Sequence, residues 1–166
     1  MISDLASLFS MLAVLIAIIA LVVEGKRERF ALQADHLLRL DEKLHSPGSR
    51  SLRRAAARKL SRNKKPNYEL EEVLEHLSTI AFFFQRKAID SDLTFKQFSY
   101  WLVRYWLCGR GYVLEVSRKY DPQSYATLEQ VADQFIRDEL KGGHPPFDEA
   151  LLQAFLQEES GLPGAA

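Results

Sequence analysis

With 166 residues, 47% of them hydrophobic and 11% aromatic, the chain has the length of about one domain and more apolar content than a disordered segment carries. Its single cysteine, Cys108, excludes an internal disulfide, and its place in an apolar aromatic run marks it as a small buried hydrophobe. The formal net charge of zero hides an asymmetry: Lys26 to Lys65 holds 13 basic and 4 acidic residues, a net of +9, and Pro66 to Ala166 holds 9 basic and 16 acidic, a net of −7.

From Leu5 to Val23 the chain reads LASLFSMLAVLIAIIALVV, without a charge. As a helix it would rise roughly 28 Å, close to the hydrocarbon thickness of a bilayer, so the pattern predicts a transmembrane helix rather than a core helix, which so small a domain could hardly surround. A cleaved secretory signal fits less well, because Met1 to Asp4 lacks Lys and Arg and Ala20 is a poor cleavage position. Lys26, Arg27 and Arg29 follow the span, and the positive-inside rule then predicts a single-pass inner-membrane protein, N-terminus outside and remainder cytoplasmic. Ala6, Ser10, Ala13, Ala17 and Ala20 recur at alternating spacings of 4 and 3 and form a seam of small residues. Such a seam suits self-association or pairing with another span, although alanine is common in membrane helices anyway.

Glu28 to His45 keeps a helical period, and Ser46-Pro47-Gly48-Ser49 is expected to break it. A helix from about Arg50 to Arg62 has a thin apolar stripe (Leu52, Ala56, Leu60) among many cations. The next, Tyr68 to Lys87, turns Leu70, Val73, Leu74, Leu77, Ile80, Ala81 and Phe84 inward and loads its first turns with Glu69, Glu71, Glu72 and Glu75, where the helix dipole favours acids. Asp90-Ser91-Asp92 offers N-caps for a helix from about Leu93 to Leu107 bearing Phe95, Phe98, Trp101, Leu102, Tyr105 and Trp106. Gly109-Arg110-Gly111 is expected to interrupt it, with a short helix from Tyr112 to Arg118 beyond. Asp121-Pro122 resembles an N-cap and first-turn proline for a helix carrying Tyr125, Leu128, Val131, Phe135 and Leu140, which Gly142-Gly143 stops. Phe147 to about Gln157 forms a last helix.

No strand pattern or internal repeat is present, so the expected fold is all-α: one N-terminal transmembrane helix followed by a small cytoplasmic helical bundle. The expected division is an anchor over 1–25, a juxtamembrane helix and turn over 26–49, a helical domain over 50–158 and a loose tail over 159–166. The stretch from Leu38 to about Pro122, with LLRLDEKLHSP and EEVLEHLSTIAFFFQRKAIDSDLTFKQFSYWLVRYW, resembles a family of bacterial helical proteins of unknown function, often with an N-terminal membrane helix. The resemblance implies the fold, the anchor and a bacterial source. It carries no activity.

Chemistry is sparse. Of His36, His45, His76 and His144, only His76 has a carboxylate one turn away, Glu72, and one Glu/His pair is a weak metal candidate without a matching pair elsewhere. Cys108 has no accompanying nucleophile motif, and no glycine-rich phosphate loop exists. No cofactor or catalytic residue is expected. The aromatic residues read mainly as core, but Phe82, Phe83 and Phe84 are consecutive and cannot share one face, so some are expected to meet a partner.

The basic run Arg50, Arg53, Arg54, Arg58, Lys59, Arg62, Lys64 and Lys65 is the clearest functional candidate. It suits anionic lipid at a bilayer surface or another anionic partner, or else pairs with the acidic half of its own domain. Without a recognition motif it is weak evidence for nucleic acid. The expected function is therefore a protein-interaction or scaffold module at the inner leaflet, acting as a homo-oligomer or on a membrane protein partner. The alternative is an enzyme or small-ligand receptor with a site among the aromatic helices.

Overall fold

The computed structural model describes the backbone of residues 2–62 and 68–162, with side chains from residue 15 onward. Its first element, α1 (Ile2–His45), runs 44 residues. A single residue ends it. Ser46 precedes Pro47, whose ring disfavours a helical conformation at the residue before it, and Ser46 accordingly lies extended at ψ 152°. Its side chain accepts from the Ser49 amide at 3.2 Å, capping α2 (Pro47–Leu60), with proline in the first turn where no amide is needed. The expected four-residue break is thus one residue wide.

α3 (Tyr68–Gln85) packs against α2, α4 (Ser91–Tyr112) and α6 (Ala126–Lys141), and α7 (Glu149–Ser160) closes over α2 and α4. All seven residues expected to face inward from α3 are buried. On α2 the stripe narrows to Ala56 and Ala57, fully buried, and small side chains there let the α2 backbone approach its neighbours closely. Asp90 and Asp148 cap α4 and α7 by accepting from the Leu93 and Leu151 amides at 2.9 and 2.8 Å. On α6 the buried residues Leu128, Val131, Ala132, Phe135 and Glu139 follow one helical phase; Leu140, expected inside, is out of that phase and 45% exposed. Phe135 lies at the centre of the aromatic core, edge-on to Phe84 and Phe95.

α4 does not stop at Gly109-Arg110-Gly111. It runs on to Tyr112 and passes into a π-helical turn, Val113–Ser117, and then into α5 (Arg118–Tyr120). Gly109 is buried against α3, and a Cβ there would lie 3.5 Å from Leu70 Cδ1 and Cδ2 and from Leu74 Cδ1, an ordinary contact. Its role is close packing rather than interruption. Gly109→Ala is expected to raise stability by roughly 0.5–1 kcal/mol by relieving the helical entropy cost of glycine, read as a higher urea midpoint at unchanged slope. A lower midpoint would mean that α3 and α4 cannot accept the methyl group.

The transmembrane expectation is corrected. Among the described residues no helix is long and apolar enough to cross a membrane. Directly after Val23 the helix is charged by Glu24, Lys26, Arg27, Glu28 and Arg29. The side chains of residues 5–14, and with them Ala6, Ser10 and Ala13 of the seam, lie outside the described residues. With the span goes the basis for single-pass insertion, for inner-membrane placement and for the sidedness of the two termini. The fold is all-α.

Candidate functional site

Of the basic residues, two are consumed inside the fold. The Arg53 side chain is 3% exposed and its Nε lies 3.5 Å from Glu159 Oε2 on α7. The same carboxylate accepts from Tyr105 Oη at 2.7 Å and, through Oε1, from Trp101 Nε1 at 3.3 Å. Tyr105 also faces the Arg53 carbonyl at 3.2 Å, and the Arg53 guanidinium sits over the Trp101 ring, 5.5 Å from its centroid. Burial, then the Glu159 charge, pushes the Tyr105 hydroxyl well above its ordinary range, so it stays a donor. Lys59 pairs with Glu69 at 2.7 Å and ties α2 to α3. The Glu69 carboxyl is lowered chiefly by that lysine's hydrogen bond.

Arg50, Arg54, Arg58 and Arg62 form no ion pair among the described residues. Arg54, Arg58 and Arg62 follow one another at intervals of four and, with Ser51, Ala55 and Lys59, line an open groove of about 410 Å³ that contains no carboxylate among the described residues. The Nε atoms of Arg50 and Arg54 are buried without a hydrogen-bond partner. Pairing with the acidic half of the domain therefore accounts for Arg53 and Lys59 and not for this stripe. Lys64 and Lys65 lie outside the described residues, while Ala17 and Ala20 of the seam are exposed.

Glu72 and His76 line one small cavity with Arg53 and Leu44. No third donor joins them, since no group of three His, Cys, Asp or Glu able to hold a metal occurs among the described residues. The His76 ring is 8% exposed with neither nitrogen hydrogen-bonded in good geometry. Burial, with the Lys43 and Arg53 cations adding to it and the Leu40 carbonyl opposing, pushes it down to about 4. Burial likewise raises the Cys108 thiol to about 12, so it is no thiolate nucleophile at neutral pH.

A second surface was not foreseen from the sequence. α3, the π-helical turn, α5 and the following loop enclose an open groove of about 700 Å³, lined among others by Glu71, Glu75, Phe82, Val116, Tyr120 and Tyr125. Among the described residues no cationic side chain lines it. Glu71 accepts from Tyr112 Oη, and Glu75 is exposed. Tyr112 and Tyr125 are each raised to about 12, first by burial; Tyr112 is raised further by its hydrogen bond to Glu71, and Tyr125 by the charges of Glu75 and Glu71. Tyr125, which precedes α6, holds the left-handed conformation at φ 60°, costly for any residue but glycine. Such strain and π-helical turns both concentrate at functional sites. Of the three consecutive phenylalanines, Phe84 is core, Phe83 stacks on His36, and Phe82 is 46% exposed in this groove.

A family model described as a domain of unknown function, DUF4760, matches residues 7–135, which is most of the chain. The chain belongs to that family. No curated protein matches it, and no solved structure does.

Proposed function

We propose that this DUF4760 chain is a protein-interaction module whose α2 arginine stripe engages an acidic segment of a partner protein. The reading rests on one observation: Arg54, Arg58 and Arg62 line a groove to which no described residue brings a carboxylate, while Arg53 and Lys59 beside them are neutralised within the fold. A side chain whose charge the fold requires is paired internally; one held on a helix face without a counter-charge is available to a partner at little desolvation cost. Arg58, exposed, and Arg54, half-buried, would supply recognition and a faster encounter more than raw affinity.

A fluorescently labelled glutamate-rich peptide, titrated with the full-length chain in non-ionic detergent, tests this. Arg54→Glu/Arg58→Glu is expected to weaken binding roughly tenfold, about 0.7 kcal/mol for each exposed ion pair, and raised salt is expected to weaken the wild type in the same direction. Arg110→Glu, at an exposed arginine elsewhere, is expected to leave it unchanged. A loss of half that free energy in Arg110→Glu, which reverses one charge and not two, would reduce the effect to net charge and remove the proposal. Vesicles containing phosphatidylserine, tested in parallel, separate a lipid surface from an acidic peptide as the anion that α2 prefers.

A further inference from the structure

The arginine stripe and the acidic groove are complementary to each other. Arg54 and Arg58 stand four residues apart on α2, and Glu71 and Glu75 stand four residues apart on α3. Each pair therefore repeats at about 6 Å along its helix axis, so the two rows can meet in register. Beside Glu75 the same groove presents the exposed Phe82 and Tyr120 rings. A guanidinium stacks favourably on such aromatic faces.

The two rows cannot meet within one molecule, because α2 and α3 already pack on each other through their buried faces and the Lys59–Glu69 bridge. Resting on the reading of α2 given above, we propose that the partner is a second copy of this chain: the arginine stripe of one molecule docks in the α3 and π-turn groove of the next. Such a contact joins two different surfaces. Each molecule in a row keeps one face free, so assembly continues until a ring closes or the chain of molecules ends.

Charge reversal tests it in a way that a symmetric contact would not pass. The mass of the full-length chain in non-ionic detergent is expected to rise with concentration and to fall with salt. Arg54→Glu/Arg58→Glu and Glu71→Lys/Glu75→Lys are each expected to give smaller particles. Mixed, they are expected to assemble again, since the unchanged groove of one meets the unchanged stripe of the other and the two reversed rows are themselves of opposite charge. Glu75→Lys alone repeats the test without disturbing the Tyr112 hydrogen bond to Glu71, and far-UV circular dichroism checks the fold of every variant. Wild-type particles of one chain at all concentrations, assembly unchanged in both variants, or variants that do not combine would each overturn the proposal. If the glutamate-rich peptide still bound the stripe in those cases, the interaction module would stand with a different partner.

Discussion

Glu159→Ala is expected to destabilise the fold by about 3–5 kcal/mol, the usual consequence of leaving a buried charge without its counter-ion. The Arg53 guanidinium and the Glu159 carboxylate are 3% and 4% exposed, so water cannot replace the lost partner. Arg53 loses its counter-ion, and Tyr105 and Trp101 each lose an acceptor. Tyr105 keeps the Arg53 carbonyl, and Trp101 keeps nothing. The pair itself is not well made, since Arg53 Nε and Nη1 are buried without a hydrogen bond. Replacing both members, Arg53→Met/Glu159→Leu, is therefore expected to return stability to within about 1 kcal/mol of wild type. Urea unfolding of the single and double variants decides between the outcomes. A double variant as unstable as Glu159→Ala would show that the polar network, rather than an unpaired charge, holds α7 on α2 and α4.

The second large effect is a loss of stability in mild acid. The His76 imidazole titrates at about 4 in the folded chain against an ordinary 6.5. Above pH 6.5 it is neutral whether the chain is folded or not and contributes nothing to the pH dependence. As pH falls below 6.5 the unfolded chain gains the proton and the folded chain does not, so stability declines until about pH 4, where both forms hold it. Between pH 7.5 and 5 the decline amounts to about 2 kcal/mol. The depressed Glu69 carboxyl acts in a different window: its contribution is present above its ordinary value of 4.5 and is lost as pH falls through its lower folded value. His76→Leu, a side chain suited to the apolar wall of Leu44, Leu52 and Val73, is expected to abolish the decline between pH 7.5 and 5 and leave that below 4.5. Persistence of the upper decline in that variant would place the titrating group elsewhere.

The helical core was legible where apolar spacing decides burial. α3 carries seven inward residues on one phase, and no competing signal interferes. Two elements were misread because local rules lost to packing. Gly109 reads as a breaker by propensity, yet α4 runs through it with its backbone packed beside Leu70 and Leu74. Asp121-Pro122 reads as a helix start, but Asp121 closes a turn by accepting from the Gln123 amide, and α6 waits until Ala126. Leu5–Val23 reads as a bilayer span from hydropathy alone, whereas among the described residues no helix is long and apolar enough to cross a membrane.

The candidate surfaces were legible in part. Charge counting found the α2 cations but could not separate Arg53 from Arg54, because which face is buried depends on α7, far along the chain. Glu159 looks like one more solvated acid near a terminus. Its only trace in the sequence is Trp101 and Tyr105, one turn apart with polar tips on a common face, which together ask for a buried acceptor. The acidic groove left no local trace, since it joins α3 to a loop some forty residues later.

From Leu15 to Leu32 every described residue of α1 except Gly25 is exposed, and the helix meets the bundle from Gln33 onward, Leu37, Leu40 and Leu44 among its contacts. A helix is geared: each residue advances it 1.5 Å and turns it about 100°. Whatever grips the apolar end of α1 therefore also fixes the compass bearing of the arginine stripe. Lengthening the free stretch by one residue would leave every contact in the bundle intact and swing the stripe through more than a quarter turn, while seven residues would nearly restore its bearing.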